Sequence, residues 1–298
     1  MKLKFWGTRG SIATPGKHTV RYGGNTPCVE LRLNDDELII LDAGTGIRNL
    51  GDAILERGES ITAYILITHR HWDHIQGFPF FKPVFISGNK LTLMGSESEK
   101  ITLKRIVSDQ MNKIYFPIQL SELKAALDFH PVEEEEVPVF DAKVQTIHVN
   151  HPGYCLGYRV SYAGKSIVYI SDNEPFDRQN ARVLTNVEPS VLEKFASTKG
   201  DPNQRIFDFV RECDVLIHDT TYTPEEYVDR VGWGHSDYLF SLKVAAEGNV
   251  KQLILFHHDP SHGDAKVDDI VAKCRKEIKH RRYGFECTAA AEGMEMEF

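Results

Sequence analysis

Cysteine is scarce and unpatterned in this 298-residue chain: Cys28, Cys155, Cys213, Cys274 and Cys287 make five, with no C-x-x-C spacing. An odd number without paired spacing argues against a disulfide framework and against a cysteine-built zinc site. There is no run of about 18 apolar residues, so no membrane-spanning helix and no membrane partner are expected. No long apolar stretch precedes Gly7, which speaks against a secretory leader. Together these absences set the expectation of a reduced, cytoplasmic location. Basic charge is also in deficit, with 35 Lys and Arg against 43 Asp and Glu and a formal net charge of −8. Proteins that grip long nucleic acid present basic surfaces, so no long RNA or DNA partner is expected. A small phosphorylated substrate stays open, because bound metal ions supply local positive charge.

What is present is the balance of a globular protein, 41% hydrophobic and 26% charged. The expectation is one domain spanning 1–298. Short apolar, β-branched or aromatic runs at 2–6, 28–33, 37–41 and 63–68 read as strands. A second batch follows at 143–149, 157–162, 166–170, 215–217 and 252–256. Helical spacing appears at 45–57, where Ile47, Leu50, Ile54 and Leu55 recur, and at 97–112, 204–212, 238–247 and 264–280. Asp264 is the expected N-cap of the last helix, whose final turn is rich in Lys and Arg, as the helix dipole favours. Two batches of strands, each with helices, predict an α/β chain with two sheets packed face to face and helices outside. The Glu133-Glu134-Glu135-Glu136 run, flanked by Pro131 and Pro138, reads as a solvated turn.

Thirteen histidines are many, and their placement matters more than their number. His69, His71, Asp73 and His74 fall within six residues directly after the strand 64–68. Alternate residues in the turn after a strand point the same way, so His69 and His71 are able to share one metal. Asp73 and His74 start the next helix and point elsewhere, which suits a second metal. Imidazole nitrogen with carboxylate oxygen suits zinc, manganese or iron. A single His-x-His pair would be no more than a surface coincidence; four ligand-type residues at one strand end are not. The turn Gly44-Thr45-Gly46 falls short of a dinucleotide fingerprint, which would need a glycine where Asn49 stands.

The segment Thr68-His69-Arg70-His71-Trp72-Asp73-His74 resembles the T-H-x-H-x-D-H signature of the metallo-β-lactamase superfamily, and further elements of that family follow in order. The resemblance implies a four-layer αββα sandwich with two mixed sheets face to face and two divalent metal ions, Zn2+ first, Mn2+ or Fe as alternatives. It implies that His69, His71 and His151 hold one metal, that Asp73, His74 and His257 hold the other, and that Asp172 bridges them. Asp42, in Leu41-Asp42-Ala43-Gly44, would orient the ligands. The adjacent His258 is the alternative to His257.

Gly234-His235-Ser236 is similar to an element of the family's phosphodiesterase branch, which includes ribonuclease Z and cyclic-phosphate phosphodiesterases. There His235 would touch the scissile phosphate or protonate the leaving oxygen, with Asp219 orienting it; the alternative for His235 is a neighbour of a helix cap. Glycine-rich loops near Arg9 and Asn25 look like the branch's opening loops and would place both residues at the substrate. Ribonuclease Z typically carries a long arm between its third and fourth elements, and the interval from His151 to Asp172 leaves no room for one. The implied activity is attack of a metal-bridging hydroxide on a small phosphodiester, a cyclic nucleotide or cyclic phosphate, with Asp73, Asp219 and His235 as catalytic residues. The alternatives are a lactone, thioester or carboxylic ester hydrolase, a ribonuclease acting on short RNA ends, and a non-catalytic iron-binding sensor. Similar proteins often form homodimers, so a homodimer is a possible assembly.

Overall fold

The computed structural model describes residues 1–58, 60–97, 101–177 and 187–298. The chain divides into two compact units: Met1–Lys17, Gly23–Glu133 and Ala291–Phe298 form the first, His18–Tyr22 and Glu134–Ala290 the second.

The first unit is built on a mixed seven-stranded sheet. Strands β1 (Lys2–Gly7), β2 (Cys28–Arg32) and β3 (Glu37–Leu41) pair antiparallel, as does β14 (Glu295–Glu297) with β1. Beyond β3 the pairing turns parallel through β4 (Thr62–Leu66), β5 (Lys90–Gly95) and β6 (Ala126–Pro131). Helix α1 (Gly46–Glu56) makes the crossover from β3 to β4. It lays Ile47, Leu50 and Ile54 on the core, one stripe at helical spacing. That core gathers Leu38, Ile40, Ile65, Leu93 and Phe81.

The second unit repeats the scheme on its own mixed seven-stranded sheet. Strands β7 (Glu136–Val139), β8 (Ala142–His148), β9 (Leu156–Tyr162) and β10 (Lys165–Ile170) run antiparallel. Strands β11 (Val215–Asp219), β12 (Gln252–Phe256) and β13 (Glu286–Ala289) continue parallel from β10. Helices Tyr238–Glu247 and Asp264–Arg281 lie in the parallel crossovers from β11 to β12 and from β12 to β13. The longer one buries Val267, Ile270, Val271 and Cys274, an i, i+3, i+4, i+7 stripe on a polar helix. All five cysteines are free and buried. No helix among the described residues is long and apolar enough to cross a membrane.

Register positions the reactive residues. In the parallel half of each sheet the strands end level, with Leu41 opposite Leu66, Ile170 opposite His218 and Asp219 opposite Phe256. Within each sheet, residues at or just past these ends gather at the carboxyl edge, where open α/β sheets place their sites. Asp42, the 67–74 turn, Asp172, Asp219 and His257 all occupy such positions.

Several local expectations are corrected. The helix expected over 97–112 is observed as Leu103–Gln110, capped by the Thr102 side chain; residues 98–100 lie outside the described residues. Gly263, not Asp264, caps the last helix, and the Asp264 carboxylate instead accepts the N–H groups of Arg21 and Tyr22. The glutamate run is not a solvated turn throughout. Glu136 opens β7, and Glu134 accepts the His148 N–H at 2.9 Å and ion pairs with Arg205 and Lys194. Partial burial works against the Glu134 charge, but the His148 N–H and the two cations hold its carboxyl below its ordinary value of 4.5.

A depressed carboxyl pKa adds stability above the unfolded-state value and loses it as pH falls through the folded one. Glu134→Gln should therefore cost about 1–2 kcal/mol at neutral pH, after discounting for partial exposure. Urea midpoints of wild type and variant should converge as pH drops below about 4.5. A constant gap across that range would mean that charge is not what Glu134 contributes.

Candidate metal centre and acid–base residues

In the first unit, Asp42 sits one residue past β3 with φ of 62°, fully buried. Its Oδ1 accepts the Thr68 N–H at 2.8 Å, and the Thr68 hydroxyl lies 3.0 Å from both carboxylate oxygens. Its Oδ2 accepts from His74 Nδ1 at 2.8 Å. That bond places the imidazole proton on Nδ1 and leaves a lone pair on Nε2, the form a metal needs. His74 Nε2 lies 3.1 Å from Asp73 Oδ2, and His69 Nε2 lies 2.9 Å from His71 Nδ1. The Asp73 carboxylate is aimed by the Ser11 N–H at 2.8 Å. Gly44 has a local reason to be glycine: a Cβ there would stand 2.3 Å from the Asp73 carbonyl. The turn after β3 is pressed against the helix Trp72–Ile75, and the Ala43 N–H donates to the His74 carbonyl at 2.7 Å.

In the second unit, His151 is buried and donates from Nδ1 to the Gly234 carbonyl at 2.8 Å, again leaving Nε2 for a ligand bond. Its Nε2 is 3.8 Å from Asp172 Oδ2, and His257 Nε2 is 3.5 Å from the same oxygen. Ligand atoms around one tetrahedral ion with bonds of about 2.0–2.2 Å stand roughly 3.3–3.6 Å apart; the His257 spacing falls within this range and the His151 spacing just beyond it. His257 adopts φ of 59° and its Nδ1 meets the Thr221 hydroxyl at 3.0 Å. His258 is turned elsewhere: its Nε2 donates to the Ala290 carbonyl at 2.9 Å and its ring meets Tyr22 edge-on.

Asp219, fully buried, organises this group. Oδ2 accepts from His235 Nδ1 and from the Asn173 N–H, both at 2.9 Å. Oδ1 accepts from the Thr221 N–H at 3.0 Å and the Thr221 hydroxyl at 2.7 Å. One carboxylate thus orients His235 directly and His257 through Thr221. The His235 ring stacks on His257 with centroids 4.8 Å apart. His151, Asp172 and His235 offer ligand-type atoms within 4.8 Å of one another, as do Asp219, His235 and His257.

Arg9 and Asn25 serve the first unit's own loops. Arg9 is fully buried and its Nε donates to the Gly23 carbonyl at 2.8 Å. Asn25 bonds Glu292 through its side-chain and backbone N–H groups and accepts from the Thr45 hydroxyl.

Comparison with known proteins adds an independent line. The family model described as "Beta-lactamase superfamily domain" matches residues 38–199. A ribonuclease Z of Picrophilus torridus is 25% identical over 293 residues, covering 89% of this chain and 88% of that protein. The metallo-beta-lactamase fold protein YhfI from Bacillus subtilis superposes with a TM-score of 0.67 at 17% identity, over 99% of each chain. The short form of human tRNase Z superposes with a TM-score of 0.63 at 17% identity, over 100% of this chain and 99% of that one.

Sequence reasoning missed Glu174 and Thr221. Glu174 is buried and accepts from the Tyr227 hydroxyl at 2.9 Å and from the N–H groups of Gly232 and Gly234 at 2.7 and 2.9 Å. It fastens the loop that carries Gly234 and His235. Gly234 has φ of 86°, and a Cβ on it would lie 2.4 Å from His151 Nδ1. A lone glutamate two residues past Asp172 has no spacing that marks it in advance; Thr221 was legible only as a turn-forming residue after Asp219. Glu174→Ala should release this loop. Hydrogen exchange at the Gly232 and Gly234 amides is expected to accelerate at least tenfold, corresponding to about 1–3 kcal/mol of lost bonding to a charged acceptor. Unchanged exchange there would remove Glu174 from this role.

Proposed function

The chain belongs to the beta-lactamase superfamily and has the metallo-β-lactamase fold, and from that premise we propose that it is a metal-dependent phosphodiesterase acting on a small phosphodiester, a cyclic nucleotide or cyclic phosphate. The observation that carries the reading is the buried Asp219–His235 pair set beside Asp172, His151 and His257. It supplies a proton-handling group next to ligand-type residues, which an ion-storing or sensing site does not need.

We assign His69, His71 and His151 to one ion, Asp73, His74 and His257 to the other, and Asp172 to both, with residues 1–298 acting as one catalytic domain. The nitrogen and oxygen donors suit zinc, with manganese or iron as alternatives. Such ions, when bound, supply Lewis acidity and activate water at neutral pH. The protein's own part is orientation. Asp42, the Gly234 carbonyl and the Thr221 hydroxyl hold the Nδ1 sides of His74, His151 and His257, so each presents Nε2. Asp219 holds the Nδ1 proton of His235 and leaves Nε2 to deliver a proton to the departing oxygen. Five free, buried thiols support a cytoplasmic location.

A second reading, ribonuclease action on RNA ends, is favoured by the relatives named ribonuclease Z. It uses the same chemistry. Two features weigh against it: the net charge of −8, and the antiparallel pair β9–β10 that fills most of the interval from His151 to Asp172.

The reading is tested by assaying the metal-loaded protein on bis(p-nitrophenyl) phosphate, p-nitrophenyl phosphate, 2′,3′- and 3′,5′-cyclic nucleotides and a lactone. Turnover of diesters and of a cyclic nucleotide is expected; turnover of the lactone alone overturns the assignment. His257→Ala should lower the metal-to-protein ratio measured by plasma mass spectrometry, whereas His258→Ala should leave it intact. His235→Ala should keep its metals and slow cyclic-nucleotide hydrolysis by roughly 10²–10⁴-fold. The deficit should be smaller on bis(p-nitrophenyl) phosphate, whose leaving group needs little protonation. Equal deficits on both substrates would exclude His235 as the acid.

A further inference from the structure

Three tryptophans are present, and they differ sharply in environment. Trp6 is half-buried, with Nε1 donating to Glu30 at 2.7 Å. Trp72 and Trp233 are 79% and 62% exposed. A single exposed apolar side chain is ordinary on a protein surface; the surroundings of these two are not. Trp72 stands between His71 and Asp73, and the other residues of its short helix, Asp73, His74 and Ile75, are all buried. Its backbone is held by the Gln76 N–H on its own carbonyl at 2.7 Å and, across the turn, by the His74 N–H on the His71 carbonyl at 3.1 Å. Trp233 stands between Gly232 and Gly234, whose N–H groups are both held by Glu174, and two residues before His235. Neither ring belongs to the apolar core of its unit. Each unit therefore holds a tryptophan in water, on anchored backbone, in the turn that carries its reactive residues.

Resting on the phosphodiesterase reading, we propose that Trp72 is a specificity-determining residue whose exposed ring stacks on a nucleobase of the substrate, with Trp233 as a second surface of the same kind. Stacking requires no positive charge and works with every base. A protein of net charge −8 is thereby able to prefer nucleotide esters over phosphate esters of sugars or simple alcohols. The flat, weakly hydrated ring face suits a base, whereas a sugar or glycerol ester offers no matching π-surface.

The test is calorimetric titration of the metal-loaded protein with AMP and with ribose 5-phosphate, which share phosphate and sugar and differ only in the base. The wild-type protein should bind AMP about tenfold more tightly or better, the scale of one base–aromatic stack. Trp72→Leu should erase most of that preference and Trp72→Phe should keep most of it; Trp233→Leu should reduce it. Equal affinity for the two ligands in wild type, absence of AMP binding, or a full preference in both leucine variants overturns the inference. Bis(p-nitrophenyl) phosphate turnover in the same preparations separates the two claims. Turnover without a base preference removes the role of Trp72 alone, and a Trp72-dependent preference without turnover removes the diesterase reading alone.

Discussion

Two buried carboxylates, Asp42 and Asp219, are the constraint on which the reactive residues depend. Each is fully buried, at or just past the end of a parallel strand, and each is surrounded by donors. A charged acceptor in that position is tolerable only when its hydrogen bonds are made, and each bond to it is worth about 1.5–3 kcal/mol. The donors include one imidazole apiece, His74 on Asp42 and His235 on Asp219. The carboxylate therefore fixes the ring's orientation and its tautomer together. Without it, either imidazole nitrogen could carry the proton, and Nε2 would face its task only part of the time. The threonines Thr68 and Thr221 extend the same control, since each hydroxyl contacts the carboxylate and an imidazole: His69 Nδ1 for Thr68, His257 Nδ1 for Thr221.

These carboxylates stand where they do because of sheet register. Parallel pairing from β3 to β4, and from β10 through β11 to β12, ends the strands level. The crossover helices of these parallel segments lay their apolar stripes into the cores of the two units. The Ile47, Leu50 and Ile54 stripe and the Val267, Ile270, Val271 and Cys274 stripe are in this sense remote supports of the site. A cavity there of the Leu→Ala kind costs about 2–5 kcal/mol, and it acts on the strand ends through the crossover that holds them in register.

Legibility from sequence followed periodicity and spacing. The helix 238–247 was placed at its observed bounds and Asp264–Arg281 within one residue, because their apolar patterns are continuous. The strands β5, β6, β7, β13 and β14 escaped. β6 alternates Leu127 and Phe129 with Asp128 and His130, but only over four residues before Pro131, too short a pattern to stand out. β7 is interrupted by Pro138, and β14 is three residues long. Among candidate site residues, the tight cluster 69–74 was legible by density, whereas Asp42, Asp172 and Asp219 entered through the family resemblance, because a single aspartate after an apolar run reads as an ordinary loop residue. Glu174 entered by neither route, because its partners are backbone N–H groups far along the chain, at Gly232 and Gly234, and a backbone donor has no sequence signature. The choice between His257 and His258 was equally closed to sequence, since one step in register separates the Thr221 hydroxyl from the Ala290 carbonyl as partner.

Glu174 shows how the proposed proton donor and a proposed metal ligand are kept in step. It clamps Gly232 and Gly234 by their N–H groups, and the Gly234 carbonyl in turn receives the Nδ1 proton of His151. The peptide unit that precedes His235 thus orients His151, and the residue after His235 is tied as well, because the Ser236 hydroxyl donates to the Asn173 carbonyl. Asn173 also returns to Asp219 through its N–H and to the Asn150 N–H through its side chain. Residues 172–174 are therefore bonded to the segment before His151, to the loop around His235, and to Asp219. A displacement of any one of these would move a proposed ligand and the proposed acid together. In a reaction where proton delivery must coincide with cleavage, that coupling keeps their mutual geometry fixed while the substrate varies.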